Sequence, residues 1–263
     1  MNAYARERAQ QVVGYRLWPE DAPRPTSARA TFSVARSRGR YAAAVMRALN
    51  AIDRVHACSD LPPLPIRFGR AEQREGYTRF LDHRFPLWIV VSVRGRTLAL
   101  TALHEIGHYL DWQGFGVDGE WASRFDPRLE EWWQAVKATA AYAELDRLLN
   151  DLYAEGRISL RMASYFGSPE ELWARSYAQW VAVRSGDVQL AAELDRAREY
   201  WYAEAGPYLP EQWEDDDFAP IASALDRVFA ERVHLCAPVR EERETLVLDF
   251  GFDEDVLAES AAA

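Results

Sequence analysis

Leu87-Trp88-Ile89-Val90-Val91-Ser92-Val93 is followed by Arg94-Gly95-Arg96 and then by Thr97-Leu98-Ala99-Leu100-Thr101-Ala102-Leu103-His104-Glu105-Ile106-Gly107-His108-Tyr109-Leu110-Asp111. The first run is dense in branched and aromatic side chains and reads as a strand, closed by a turn signal at Gly95. The second reads as a helix from near Thr97 to Leu110 or Asp111, with Leu98, Thr101, Ala102, Glu105 and His108 along neighbouring faces. A strand therefore feeds almost directly into a helix that carries two histidines four positions apart. At that spacing both imidazoles leave one face, close enough to hold the same ion.

Neutral imidazoles suit Zn²⁺, and three protein ligands leave one coordination position open. Glu105, one position after the first histidine, can reach a water at that position, take its proton and pass it to a leaving amine. His104-Glu105-Ile106-Gly107-His108 is thus the HExxH pattern of a metallopeptidase helix, and two of the five histidines of the chain occupy its required positions. Gly107 is read as clearing space between the imidazoles. The expectation is one Zn²⁺ per chain, bound by His104, His108 and a third, downstream ligand.

A metzincin would place a glycine three residues beyond the second histidine and a histidine or aspartate six beyond it. Asp111 and Gly114 stand there instead, which excludes that version. A helix announced by Ser168-Pro169-Glu170-Glu171 offers carboxylates: serine caps, proline suits the first turn, and acidic groups favour the positive end of the helix dipole. Glu171 shares a stripe with Ser168, Ala174, Arg175 and Ala178, and Glu170 one with Trp173 and Tyr177. Periodicity does not choose between these two carboxylates, and either could simply be a favourable first-turn charge.

With Tyr165-Phe166-Gly167-Ser168-Pro169-Glu170-Glu171-Leu172-Trp173-Ala174-Arg175-Ser176-Tyr177 beside the histidine helix, the sequence resembles the glutamate-type (gluzincin-like) zinc metallopeptidases. The similar group includes the anthrax lethal factor catalytic domain and the metallopeptidase-like domains of phage and plasmid polyvalent proteins. The resemblance spans roughly residues 85–185. It implies that Glu171 is the third zinc ligand and that the Tyr165 phenol stabilises the oxyanion. It further implies that Asp111 orients an imidazole or a nearby arginine, and that Arg175, one turn after Glu171, either orients the Glu171 carboxylate or stabilises the loop after the active helix. At Arg175 the lethal-factor branch has an acid, whereas the polyvalent-protein branch looks like this chain. The implied fold is α+β and zincin-like, a small mixed sheet beside the active-site helix with a mostly helical C-terminal lobe. The implied function is zinc-dependent peptide-bond hydrolysis with narrow protein specificity, in a phage, plasmid or bacterial conflict setting. The alternatives are a zinc-stabilised, non-catalytic binding or regulatory protein of the same fold, or a nucleic-acid-associated accessory protein.

The rest of the chain frames this core. An opening helix over 1–18 precedes a connection broken by Pro19, Pro23 and Pro25, so residues 1–39 read as an N-terminal helix and a Pro/Arg-rich connection. The catalytic core is expected over 40–205. Residues 40–57 are helical, with Val45, Leu49, Ile52 and Val55 in one stripe. Ile66-Arg67-Phe68 is a short strand and 77–86 a loop or ribbon. If Leu87–Val93 is the sheet edge over the cleft, an extended peptide can pair with it; an internal position is equally open. Gly114, Gly116 and Gly119 mark a loop, and 128–154 reads as one long helix or two broken ones, ended by Gly156. The helix from Ser168 runs to about Arg184 and another covers 187–203. A C-terminal extension over 206–263, packed on the core, contains an acidic connection at Glu214–Asp217, a helix over 218–234, a strand at Thr245–Phe250 and a frayed end after Glu259.

Composition narrows the function classes. The chain has 263 residues, 49% of them hydrophobic, and a formal charge of −10 from 31 Lys plus Arg against 41 Asp plus Glu. That excess repels a phosphate backbone, so nucleic acid is not the expected partner despite Arg24, Arg29, Arg36, Arg38 and Arg40; a protein or peptide substrate is. Two cysteines, Cys58 and Cys236, make no disulfide framework. Neither a signal peptide nor a membrane span is expected from this sequence, and the expected compartment is the cytoplasm. Oligomeric state leaves no signal. Most of the ten tryptophans, including Trp132, Trp133, Trp173, Trp180 and Trp201, fall in helical patterns and read as core; Trp112 and Trp121 lie nearer the site.

Overall fold

The computed structural model describes residues 26–34, 39–56, 58, 61–70, 76–81, 85–115, 120–204 and 212–230. The opening helix, Pro19, Pro23, Pro25, Arg24, Arg36, Arg38, Gly116, Gly119, Pro207, Pro210, Cys236, the strand Thr245–Phe250 and the end after Glu259 lie outside the described residues. In chain order the elements are α1 (Ala28–Thr31), β1 (Phe32–Val34), α2 (Arg40–Val55), β2 (Leu64–Gly69), β3 (Gly76–Leu81), β4 (Phe85–Ser92) and α3 (Leu98–Tyr109), which continues as a π-helical turn over Leu110–Gly114. There follow α4 (Ala122–Phe125), a 3-10 turn (Pro127–Leu129), α5 (Glu130–Lys137), α6 (Ala140–Ala154), α7 (Leu160–Phe166), α8 (Pro169–Arg184), α9 (Val188–Glu204) and α10 (Asp215–Ala230).

The molecule is α+β, mostly helical with a small mixed sheet in the order β1-β2-β4-β3. β2 pairs in parallel with both β1 and β4, and β3 folds back antiparallel on β4 as a ribbon. One open alternative is decided here and one sequence expectation changes. The branched strand around Leu87–Ser92 is not the sheet edge; β2 and β3 flank it. Its near-continuous apolar run suits an internal position, and the edge belongs to β3. Phe32–Val34, assigned from sequence to a connection, pairs with β2, so the core begins before residue 40.

Alternation along the strands places Leu64, Ile66, Ile89 and Val91 in the core. On α2 the expected stripe is buried as Val45, Leu49 and Ile52, with alanines 44, 48 and 51 beside it. The helical lobe centres on α8, buried on every side over Glu171–Ala182, as a helix enclosed by neighbours must be. Trp132, Trp173 and Trp180 are among the largest fully buried side chains, each worth roughly 1.5–3 kcal/mol or more of apolar transfer. Residues 128–154 form two helices, because Thr139 ends one and caps the next by accepting from the Tyr142 amide. The acidic run, expected as a connection, opens α10 instead: Asp215, Asp216 and Asp217 lie in its first turn, where carboxylates meet the positive helix end. α10 packs on α5 and α8, and Trp180 Nε1 donates to Asp226 at 2.8 Å. No described helix is long and apolar enough to cross a membrane.

α3 is fixed at both ends. Thr97 makes no side-chain cap; Glu193 of α9 accepts from the Ala99 and Leu100 amides at 2.9 and 3.0 Å in its place. Farther along, α3 crosses α8 closely. A Cβ on Gly107 would stand 3.0 Å from Ala174 Cα and 3.2 Å from Tyr177 Cδ1, and Trp173 Nε1 donates to the Gly107 carbonyl at 3.0 Å. Gly107 therefore does not separate the imidazoles; it lets two helix backbones touch. Gly107→Ala should cost about 1–3 kcal/mol by overpacking. In urea unfolding, Gly167→Ala, whose methyl would meet Leu149 Cδ1 at 3.4 Å, should lose less; equal losses would contradict this account of the crossing.

Candidate metal centre

The helix crossing sets His104 and His108 of α3 against Glu171 in the first turn of α8. Ser168 caps α8, its hydroxyl accepting from the Glu171 amide at 3.4 Å, so the chain direction there is fixed. His104 Nε2 and His108 Nε2 are 3.1 Å apart. Glu171 Oε1 is 3.7 Å from His104 Nε2, and Oε2 is 3.4 Å from His108 Nε2. One donor atom from each of the three residues lies within 4.8 Å of the others. Two donors held about 2.0–2.2 Å from a tetrahedral ion stand roughly 3.3–3.6 Å apart, so the spacing suits a shared cation. Glu171 Oε2 is buried without a hydrogen-bond partner among the described residues, as a carboxylate oxygen reserved for an ion would be.

The neighbouring carboxylate is engaged elsewhere. Glu170 pairs with Arg124, accepting from its Nε at 2.9 Å and from its Nη2. Geometry thus separates what periodicity left open: Glu171 faces the histidines and Glu170 ties α4 to α8. Arg175, 2% exposed, donates through Nε and Nη2 to Glu171 Oε1 at 3.2 and 3.1 Å. Asp111 does not bond to an imidazole. It is fully buried in the π-helical turn, and its two oxygens accept from the Ser123 amide and hydroxyl, both at 2.6 Å. His108 Nδ1 has no hydrogen-bond partner among the described residues, and the Trp121 ring stands edge-on to the His108 ring at 5.7 Å.

Glu105 is buried beneath the sheet edge. Thr78 of β3 donates to its Oε2 at 3.1 Å, and a Cβ on Gly76 would fall 2.9 Å from Glu105 Cγ and Oε1. A side chain at position 76 would force Glu105, Thr101 or the strand itself to shift. Tyr165 sits near the end of α7, a helix not expected from sequence, and is 42% exposed. Its hydroxyl is nevertheless largely buried, and burial, then the charge of Glu171 and contact with it, then the charge of Glu105, raise the phenol above its ordinary value and keep it protonated.

Burial pushes His104 down to about 3, so its ring is held in the neutral, ligating form. Burial opposes protonation of His108 too, but contact with Glu171, then the charges of Glu171, Glu105 and Asp111, raises it overall. For Glu171 burial acts upward, and its electrostatic interactions with the His104 ring, the Arg175 guanidinium and His108 more than reverse it, leaving the carboxyl well below its usual range. Asp111 is pushed up to about 7 by burial, against the two Ser123 hydrogen bonds. Thr78, Gly76, Ser123 and Glu193 escaped sequence reasoning. The last three carry no local signal, and Thr78 lies in a ribbon too weakly patterned to place it against α3.

Comparison with protein-family models, with curated proteins and with solved structures finds no match to this chain.

Metal ligation needs a neutral His108, whose raised pKa makes the proton a stronger competitor. Affinity should be full above that pKa and fall as pH drops through it, with proton release on binding. Calorimetric Zn²⁺ titrations in buffers of different ionisation enthalpy, between about pH 6 and 8, should show release that diminishes as pH rises. Uptake that is independent of pH and releases no proton would contradict the assignment.

Proposed function

We propose that this chain is a zincin-like, zinc-dependent metallopeptidase that hydrolyses peptide bonds in a protein or peptide substrate. The observation that carries the reading is the convergence of His104, His108 and Glu171 within 4.8 Å, with Glu105 on the same helix. Two imidazoles and a carboxylate are a donor set zinc favours. When bound, Zn²⁺ supplies Lewis acidity toward a carbonyl oxygen and toward water.

The protein residues divide the remaining work. Glu105, buried and held by Thr78, takes a proton from the attacking water and returns it to the departing amine. Tyr165 keeps its hydroxyl proton and can donate it where negative charge develops on the former carbonyl oxygen. Trp121 stands against the His108 ring and restricts its rotation. β3 is the terminal strand on its side of the described sheet, and an extended peptide paired along it would lie over Glu105. Leu160 and Met162 are exposed on α7, the helix that carries Tyr165.

The test pairs metal analysis with unbiased peptide cleavage. Wild type should hold about one zinc per chain. His104→Ala and Glu171→Ala should lose it. Glu105→Gln should keep the metal while cleavage falls by roughly 10²- to 10⁴-fold. Zinc retained by the first two variants would remove the ligand set; zinc bound by wild type with no cleavage of any peptide or protein pool would favour a binding role for the fold.

A further inference from the structure

Glu171 has two oxygens facing two histidines, and they are not equivalent. Oε1 accepts from Arg175 Nε at 3.2 Å and Nη2 at 3.1 Å. Oε2 has no hydrogen-bond partner among the described residues and lies 3.4 Å from His108 Nε2. Arg175 is itself 2% exposed and sits one turn along the same helix, which fixes the direction of approach. A surface arginine could swing away; this one cannot without leaving a buried charge unpaired. Both of its donating nitrogens are spent on the same oxygen.

We propose that Arg175 is a positioning residue that restricts Glu171 to one donor atom, Oε2, and so sets the number of protein donor atoms at three. This rests on the metallopeptidase reading and deepens it. A carboxylate free at both oxygens can close on a cation with both and take the position that water or a substrate carbonyl needs. With Oε1 occupied by two N–H groups, the donors available are His104 Nε2, His108 Nε2 and Glu171 Oε2. The fixed guanidinium charge also offsets that of the carboxylate, so the ligand set neutralises less of the cation and leaves it a stronger Lewis acid. An arginine is suited to this task where lysine is not, because its planar fork delivers two N–H groups along fixed directions.

The test reads coordination directly. X-ray absorption of the wild-type zinc protein should fit about four light-atom scatterers, with Zn–O near ~2.0–2.2 Å. Cobalt-substituted wild type should give the intense visible bands of a four-coordinate site. Arg175→Met should shift both readouts to five-coordination, with visible absorbance reduced several-fold, and Arg175→Lys should fail to restore the wild-type spectrum. Five scatterers in the wild type would overturn the proposal even if neither variant folds. So would an Arg175→Met spectrum identical to that of the wild type. Wild type that takes up neither zinc nor cobalt would overturn the metallopeptidase reading together with this proposal, whereas the two preceding outcomes leave that reading standing.

Discussion

Backbone contact between two helices at Gly107 and Ala174 governs the distance from the histidine face of α3 to the first turn of α8. A methyl at position 107 would press on Ala174 Cα at 3.0 Å, and the Trp173 indole, bonded to the Gly107 carbonyl, ties the same two helices together. Ligand atoms on two rigid helices can be held to a few tenths of an ångström only if the helices themselves cannot slide. The remaining architecture serves that crossing. The sheet covers α3, Glu193 caps its start across 94 residues of sequence, and the helical lobe encloses α8, burying its Trp173 and Trp180.

Charge is compensated within the same small volume. Arg175 lies against Glu171, both almost fully buried, and Asp111 is satisfied by Ser123 rather than by an imidazole. An ion pair buried this deeply contributes little net stability by itself, because desolvation offsets the attraction; its consequence is orientation. Glu170, one residue away, makes the contrast plain. Its bond to the more exposed Arg124 couples α4 to α8 and leaves Glu171 as the carboxylate beside the histidines. The Trp121 ring and the π-helical turn complete one wall of the site.

Much of this was legible in the sequence where a short-range pattern carries it. The strand leading to α3, the histidine spacing and the Ser168-Pro169 start of α8 are local signals, and the structure places them together. What was not legible depends on long-range contact. The strand order puts β4 inside the sheet and β3 at the edge, a fact no alternation pattern contains, and β1 is too short to stand out from a Pro/Arg-rich stretch. Gly107 was misread because its neighbour lies 67 residues downstream, at Ala174. Asp111 was expected to orient an imidazole or a nearby arginine; its two hydrogen bonds go instead to Ser123, which follows a glycine-containing loop whose path the sequence does not reveal. The choice between Glu170 and Glu171 required Arg124, which has no motif of its own.

The central claim is that two imidazoles and one carboxylate share a single cation. Anomalous diffraction from zinc-loaded crystals, recorded on both sides of the zinc absorption edge, tests it most directly. The account predicts one strong zinc-specific peak per chain, bounded by His104 Nε2, His108 Nε2 and Glu171 Oε2. A zinc peak at other residues, or none in a fully loaded crystal, would contradict it.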